Sequence, residues 1–332
     1  MVSREFAEQV RSRVESLAGS GNRAVIQEAW KNNGTRLTGI MVCGKGEKIS
    51  PTVYLEPLLR PYAGDDVHDG GAEADGINGE KINTGQPDPE RVDEIARLVL
   101  DAALIRKEPG ADQIADEVVR IAGDKKALLS RVMPRLVNYG WNKEFLKEVP
   151  HRQFLDLAVT YVVPVSGALH KEENASVRVT NAWVHMADVT EDELYGAAMQ
   201  NAMRQGFSAA PIDDIILSMA GADTDIEEQM PISRERPGLI VLTNAGCYYG
   251  AYVMCLPDAI APIADAFDSD LAVLPSSVNE VIAIPMCLGI PVKDMKEMVE
   301  EVNRSAVPQE ELLSDSVYIF DRRNKELRTA EG

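Results

Sequence analysis

The amino-acid sequence predicts an α+β fold built from two domains, and three observations lead to this prediction. The chain has 332 residues, more than one hydrophobic core usually organises. Apolar residues recur at helical spacing in some segments and alternate with polar residues in others. In the final third of the chain the predicted order is ββαββαβ, which favours a mostly antiparallel sheet with helices on one side. We place the two domains at residues 1–148 and 149–332.

The N-terminal domain is predicted to begin with a helix followed by an antiparallel hairpin. The apolar face of the helix consists of Phe6, Val10, Val14 and Leu17. Residues 24–30 and 37–43 are strand-like, and Asn32-Asn33-Gly34 between them is a strong turn signal. Residues 51–55 predict a third strand.

The rest of the N-terminal domain is predicted to be a loop and then helices. Residues 64–88 are rich in Gly, Asp and Glu and nearly free of apolar side chains, which predicts an acidic loop. Asp88 is placed to cap a helix whose first position is Pro89. We expect one or two more helices to fill residues 112–147.

The C-terminal domain is predicted to open with a second hairpin. The apolar positions of its first strand are Leu155, Leu157, Val159, Tyr161 and Val163. Asp156 lies inside this strand, where aspartate is disfavoured. The face of the expected partner strand carries Val177, Val179 and Trp183, and His185 shares that face.

The remaining elements alternate between helices and hairpins. Thr190 to Glu193 form a capping box, Pro211 is expected to open another helix, and residues 221–237 predict a polar loop. Two hairpins follow, one across residues 239–254 with strands at 239–243 and 248–254, and one across residues 271–285. Helices are expected at residues 257–267 and 292–302, and a last strand at 316–320.

Charge and cysteine content limit the possible functions. Lys and Arg number 34 and Asp and Glu number 53, which gives a net charge of −19. Such a field opposes unaided binding to nucleic acid or anionic lipid and predicts neither as a partner. The start of the chain resembles no export signal, and four cysteines in a chain of this length do not form a disulfide framework. We therefore expect a cytoplasmic protein.

One candidate site lies at the start of the second domain. His151, Arg152 and Asp156 are close in sequence. A carboxylate beside a guanidinium or an imidazole usually forms a structural ion pair, and it can also orient a general base. Both interpretations stand at this point.

The second candidate site is the turn of the 271–285 hairpin. Ser276, Ser277, Asn279 and Glu280 would present two hydroxyls, an amide and a carboxylate at one tip. Such groups can bind a ligand or contribute a nucleophile, and serine is equally common in turns for local hydrogen bonding.

The motifs for cofactors and metals are incomplete. Gly39, Gly44 and Lys45 match most of a phosphate-binding loop, but Gly46 replaces the required hydroxyl residue. Asp65 and Asp69 suit a calcium loop whose third and twelfth positions fail. The cysteines lack the close spacing of a zinc site. We predict no cofactor and no metal.

Several phrases taken together resemble a known family. They are residues 31–34, 49–55, 149–157, 274–281, 301–304 and 313–318, which read KNNG, ISPTVYL, VPHRQFLDL, LPSSVNEV, EVNR and LSDSVY. The chain resembles domain-of-unknown-function family 5688, a family of bacterial proteins found largely in clostridial gut bacteria. The resemblance extends from the first helix to the end of the chain. It implies a cytoplasmic bacterial protein and supplies no activity, ligand or catalytic residues.

The leading hypothesis for function is a non-enzymatic binding or accessory protein that engages a protein partner with a basic surface. The first alternative is a hydrolase or transferase whose site lies near His151 and Asp156 or at residues 276–280. The second is an acidic mimic of DNA. The oligomeric state does not follow from the sequence.

Overall fold

The computed structural model describes residues 2–44, 50, 52–59, 88–105, 111–165, 176–219, 232 and 238–330. The predicted acidic loop 64–88 and polar loop 221–237 lie outside the described residues, except for Asp88 and Ile232. The chain divides into two compact units, one formed mainly by Met1–Val119 and the other by Arg120–Val165 and Asn174–Gly332.

The first unit packs two long helices with a small antiparallel sheet. Its elements are α1 (Arg4–Ala18), β1 (Arg23–Trp30), β2 (Arg36–Cys43), β3 (Thr52–Tyr54), α2 (Leu55–Leu59), α3 (Pro89–Ile105) and the first part of α4 (Ala111–Gly123). The strands lie in the order β1-β2-β3. Ser3 caps α1 by accepting a hydrogen bond of 3.2 Å from the Phe6 N–H. Phe6, Val10 and Val14 are buried in the core, so the predicted helix and hairpin are confirmed.

The second unit contains two antiparallel sheets. The smaller sheet consists of β4 (Met133–Asn138), β5 (Arg152–Phe154), β6 (Leu157–Pro164) and β7 (Ser176–Arg178), with β6 paired to the other three. The larger sheet consists of β8 (Phe207–Pro211), β9 (Ile240–Asn244), β10 (Leu271–Pro275), β11 (Val281–Pro285), β12 (Tyr318–Asp321) and β13 (Glu326–Thr329). Its strand order is β13-β12-β10-β11-β9-β8. The predicted 271–285 hairpin is confirmed as β10 and β11.

Helices complete the second unit. They are α5 (Lys125–Leu129), α6 (Lys143–Leu146), α7 (Asn181–Ala187), α8 (Glu191–Gln205), α9 (Ile212–Met219), α10 (Pro257–Phe267) and α11 (Val292–Ser305). The capping box of α8 forms as predicted, since Thr190 and Glu193 cap each other's backbone N–H groups. In the described part of the chain, none of these helices has the length and apolar character needed to cross a membrane.

The larger sheet is covered on both faces, which corrects the expectation of helices on one side. Leu271 and Val273 pack with α10 residues in the main core. Ala272 and Leu274, which alternate with them, pack with Met295 of α11 on the opposite face. The strand β10 is therefore apolar at every position, as is typical of a strand buried on both faces.

Three local predictions are wrong for identifiable reasons. Residues 112–147 were expected to be filled by helices, but they contain the strand β4. Pro134 is unfavourable inside a helix, and the six residues of β4 pair with β6. Trp183 and His185 belong to the helix α7 instead of a strand. Residues 250–255 form a 3-10 helix instead of a strand, since Tyr249 has a positive φ of 54° and turns the chain.

The division between the units differs from the predicted domain boundary at residue 148. The contacts divide the chain between Val119 and Arg120, within α4. Residues 133–138 belong to the second unit because β4 pairs with β6 along its full length. The boundary between independently folding domains stays a prediction.

Candidate functional site

The first predicted cluster is divided among different partners. His151 lies before β5, and its Nδ1 is 3.0 Å from the carbonyl oxygen of Val149. Arg152 forms ion pairs with Glu191, at 2.6 Å, and with Asp192. Its guanidinium also lies 4.1 Å from the ring centroid of Tyr195. Arg152 therefore forms structural ion pairs, but its partners are carboxylates of α8 instead of Asp156.

Asp156 lies in the turn between β5 and β6, and not inside a strand as expected. Leu155 before it has a positive φ of 56°, which reverses the chain. The carboxylate accepts hydrogen bonds from the hydroxyls of Ser314 at 2.7 Å, Ser316 at 2.9 Å and Tyr318 at 2.7 Å. Burial, followed by the charge of Asp156, raises the pKa of Tyr318. The structure thus joins Asp156 to the segment around β12 and does not bring it to His151.

The second predicted cluster is partly buried, and two of its four residues are held by hydrogen bonds within the protein. Ser277 is only 7% exposed, and its Oγ accepts a hydrogen bond of 3.0 Å from the Asn279 N–H. The carbonyl oxygen of Asn279 accepts one of 2.7 Å from the Thr243 hydroxyl. Ser276 and Glu280 are half-buried. A catalytic or ligand-binding role for these four residues stays a prediction, whereas Ser277 and Asn279 have a clear structural role.

Asn279 holds a strained turn that follows β9. Its side-chain oxygen accepts a hydrogen bond of 3.0 Å from the Tyr249 N–H. At the start of the turn, Asn244 accepts from the N–H of Gly246 at 2.9 Å and donates to the Tyr248 carbonyl at 2.8 Å. Cys247 and Tyr249 have φ values of 50° and 54°. Non-glycine residues rarely adopt this conformation, so these hydrogen bonds hold the turn in an unfavourable backbone geometry.

The turn presents two tyrosines to an arginine of β4. The Tyr248 and Tyr249 rings have centroids 3.9 Å apart, and the Arg135 guanidinium lies 4.3 Å from the Tyr249 centroid. Ser176 of β7 and the Tyr249 hydroxyl are near enough to the Tyr248 hydroxyl to influence its pKa, Ser176 lowering it and Tyr249 raising it. Burial is the main cause that raises the pKa of Tyr248 to about 12, and the charge of Arg135 opposes it. We call Arg135, Ser176, Tyr248 and Tyr249 the arginine–tyrosine cluster.

The start of β8 lies beside the same turn, and β8 forms an edge of the larger sheet. Phe207 is opposite Asn244, and the Gly206 carbonyl accepts a hydrogen bond of 3.2 Å from the Ala245 N–H. At the other end, the Ile212 N–H donates to the Leu239 carbonyl at 2.9 Å. The even-numbered residues of β8 therefore direct their backbone N–H and C=O groups towards β9. Phe207, Ala209 and Pro211 direct theirs outwards, where no strand of the described chain pairs with them.

Comparison with known protein families places this sequence in one of them. The sequence model of a family of unknown function, DUF5688, matches residues 82–322. The chain belongs to this family. No curated protein and no solved structure matches it.

The DUF5688 match includes every element of the candidate surfaces. It extends from before α3 to β12, so it contains β4, β7, β8 and the turn after β9. The strands β1 to β3 precede it. The family resemblance is therefore confirmed over residues 82–322, which contain both surfaces.

Little in the local sequence indicates the two surfaces of this DUF5688 protein. Arg135 is a charged residue in a stretch that is predicted to be helical, and the ring that it contacts, Tyr249, lies in a turn more than one hundred residues later. The residues of β8 read FSAAP, and the sequence analysis predicts only that Pro211 opens a helix. Pro211 was a usable signal, because a proline is compatible with an edge strand.

Proposed function

We propose that this protein is a non-enzymatic binding protein that takes up an extended, positively charged segment of a partner protein by strand addition at β8. In strand addition, a peptide pairs with the open edge of a sheet through its backbone, and pockets for alternate side chains provide specificity. The observation that carries this proposal is the outward-facing backbone of an uncharged edge strand.

The backbone groups of β8 suit a strand as the occupant. Phe207 and Ala209 each direct one N–H and one C=O outwards, and Pro211 adds a third carbonyl. These groups alternate at the two-residue spacing that a neighbouring strand requires. The missing N–H of Pro211 falls on the outer side, so it interrupts no bond to β9.

The two edges of the larger sheet differ in charge. The opposite edge strand, β13, contains Glu326 and Arg328 and follows Lys325. Charged side chains on an edge oppose pairing with another chain. The strand β8 has no charged residue and its first three residues are exposed, so it lacks this protection.

Apolar side chains around β8 favour a partner with alternating apolar residues. Met203 in the last turn of α8 is 53% exposed, Phe207 is 41% exposed and Ile216 of α9 is 57% exposed. An added strand would direct every second side chain to the same face as Phe207. Burying apolar surface there would contribute to affinity beyond the backbone hydrogen bonds.

The charge of the protein favours a cationic occupant over a second copy of the chain. The net charge is −19, and the exposed Asp213 lies two residues after the end of β8. A basic segment would be attracted and steered by this field. Two copies of the chain would repel each other by the same electrostatics. We extend the proposal to the bacterial cytoplasm, which the four free cysteines support.

A short synthetic peptide of alternating valine and lysine tests this proposal. Its binding to the full chain is measured by fluorescence anisotropy at low ionic strength, with a valine–glutamate peptide for comparison. Ala209→Pro removes one outward N–H and blocks pairing, so affinity should fall at least about tenfold. Thr329→Pro is the matched control on the opposite edge, and it should leave affinity unchanged.

Two results would overturn the proposal. One is that the valine–lysine peptide binds the wild type and Ala209→Pro with equal affinity, when circular dichroism shows that both proteins are folded. The other is a concentration-dependent dimer in light scattering that Ala209→Pro abolishes, because the occupant of the edge would then be a second copy.

A further inference from the structure

Arg135 differs from the paired arginines of this protein because its charge has no counter-ion in the described structure. Arg152 and Arg322, for example, each form ion pairs with two carboxylates. The guanidinium of Arg135 forms no hydrogen bond and no ion pair with any residue that the structure describes. Its Nε is fully buried and has no acceptor. In a chain with 53 acidic residues, such an isolated positive charge is a notable exception.

A guanidinium without an acceptor is an incomplete arrangement. Its planar set of N–H donors suits carboxylate and phosphate oxygens, and such charge-assisted hydrogen bonds are stronger than neutral ones. A buried donor without a partner is destabilising, so native structures usually satisfy it. The ring of Tyr249 stabilises the charge from one side but accepts no hydrogen bond from Nε.

The ring beneath Arg135 is held in place by several independent contacts. Tyr249 adopts a left-handed backbone conformation that Asn279 stabilises through the Tyr249 N–H. A Cβ on the next residue, Gly250, would collide with the Thr243 hydroxyl oxygen and would lie 2.6 Å from the Asn279 carbonyl oxygen. Strained and over-determined backbone of this kind is found at ligand-binding positions.

Hydroxyl groups and a second positive charge lie on the same face of the smaller sheet. The pairing of Arg135 with Thr160, and of Val162 with Arg178, places Arg135 and Arg178 on one face. Ser176 is two residues before Arg178 and therefore shares this face. Ser176 also influences the pKa of Tyr248, which it lowers, so the two hydroxyls are neighbours. Hydroxyls can donate to an anion that a guanidinium attracts.

We propose that the arginine–tyrosine cluster binds the oxyanion of a small molecule, with Arg135 as the charged donor and the Tyr248 and Ser176 hydroxyls as neutral donors. The carboxylate and the phosphate group share the required chemistry, which is a set of anionic oxygens that accept several hydrogen bonds. This site does not depend on strand addition at β8, because none of its donors belongs to that edge.

Titration with inorganic phosphate, with acetate and with chloride tests the site in the full-length protein at constant ionic strength. The readout is the Nε–Hε resonance of Arg135 in a proton–nitrogen correlation spectrum, together with calorimetry. We expect saturable binding of phosphate or acetate with a dissociation constant of about 1 mM, and no saturation with chloride. The better ligand of the two identifies the group that the site prefers.

Three variants make the test specific. Arg135→Gln should weaken binding at least about tenfold, and Tyr248→Phe, which keeps the ring and removes the hydroxyl, should weaken it by a smaller factor. Arg322→Gln removes a half-buried, ion-paired arginine of the same unit and should bind as the wild type does. Thermal unfolding confirms that each variant is folded.

The proposal is overturned if neither phosphate nor acetate shifts the Arg135 resonance up to about 50 mM. It is also overturned if a folded Arg135→Gln protein binds with wild-type affinity, or if chloride competes as well as either oxyanion. Each of these results would mean that the ring of Tyr249 alone accounts for the position of Arg135.

Discussion

The side-chain oxygen of Asn279 accepts a hydrogen bond of 3.0 Å from the backbone N–H of Tyr249. This contact joins the tip of the β10–β11 hairpin to the turn that follows β9. The hairpin tip, which the sequence suggested as an exposed reactive group, therefore serves to position the ring under Arg135. Within the tip, Ser277 and Asn279 make hydrogen bonds to other parts of the protein.

Replacing Asn279 should destabilise the protein. In Asn279→Ala the Tyr249 N–H loses its acceptor in a half-buried turn, so we expect the free energy of unfolding to fall by about 1–2 kcal/mol. Urea denaturation measures the change. Asn324→Ala removes an exposed side-chain hydrogen bond to Asp321 and is the control, with a loss below about 0.5 kcal/mol. Equal losses in the two variants would contradict the anchoring role of Asn279.

Asp156 should act as a structural anchor and not as part of a catalytic pair. Asp156→Ala leaves three hydroxyl groups, those of Ser314, Ser316 and Tyr318, without their common acceptor. We expect a loss of about 2–3 kcal/mol in the free energy of unfolding, and about 1 kcal/mol for Tyr318→Phe. The two losses should not add in the double variant, because the residues are in contact. Strict additivity in urea denaturation would argue against the network.

Two glycines should respond in opposite directions to the same substitution. Gly250→Ala would place a Cβ 2.6 Å from the backbone nitrogen of Asn244, so rigid backbone must move and we expect a loss above about 2 kcal/mol. Gly196 lies in α8 with no atom within 4 Å of its Cβ position. Gly196→Ala should therefore stabilise the protein by about 0.5–1 kcal/mol. Thermal unfolding distinguishes these outcomes, and a neutral Gly250→Ala would contradict the close packing of the turn.

Stability should decline at alkaline pH, in part through Tyr248. Burial raises its pKa to about 12 in the folded protein, whereas an unfolded tyrosine titrates near pH 10. Between these values the unfolded state binds fewer protons, so the contribution is fully present below about pH 10 and is lost as the pH rises towards 12. In Tyr248→Phe the free energy of unfolding should fall less steeply with pH, and the slope should correspond to up to about one proton fewer released on unfolding. Identical slopes in urea denaturation at several pH values would contradict the shift.

Much of the fold follows from local sequence patterns, because those patterns report burial directly. The 3.6-residue spacing of Phe6, Val10 and Val14 predicted α1, and the apolar runs around residues 276–280 predicted β10 and β11. The capping box of α8 depends only on Thr190 and Glu193. These features need no knowledge of distant residues.

The candidate surfaces could not be predicted in this way, because they depend on contacts between distant segments. Tyr249 adopts its left-handed conformation through Asn279, thirty residues away in the chain. The apolar run at 248–254 therefore has the composition of a strand but forms a turn and a 3-10 helix. Asp156 was interpreted with its neighbours His151 and Arg152, whereas its partners Ser314 to Tyr318 lie about 160 residues later.

Hydrogen exchange at the amides of Phe207 and Ala209 tests the strand-addition proposal most directly. Addition of the valine–lysine peptide should slow exchange at these two outward-facing amides and leave the outward-facing amides of Leu327 and Thr329 on β13 unchanged. Unchanged exchange at Phe207 and Ala209 in the presence of bound peptide would show that the partner binds elsewhere, and it would contradict the proposed function.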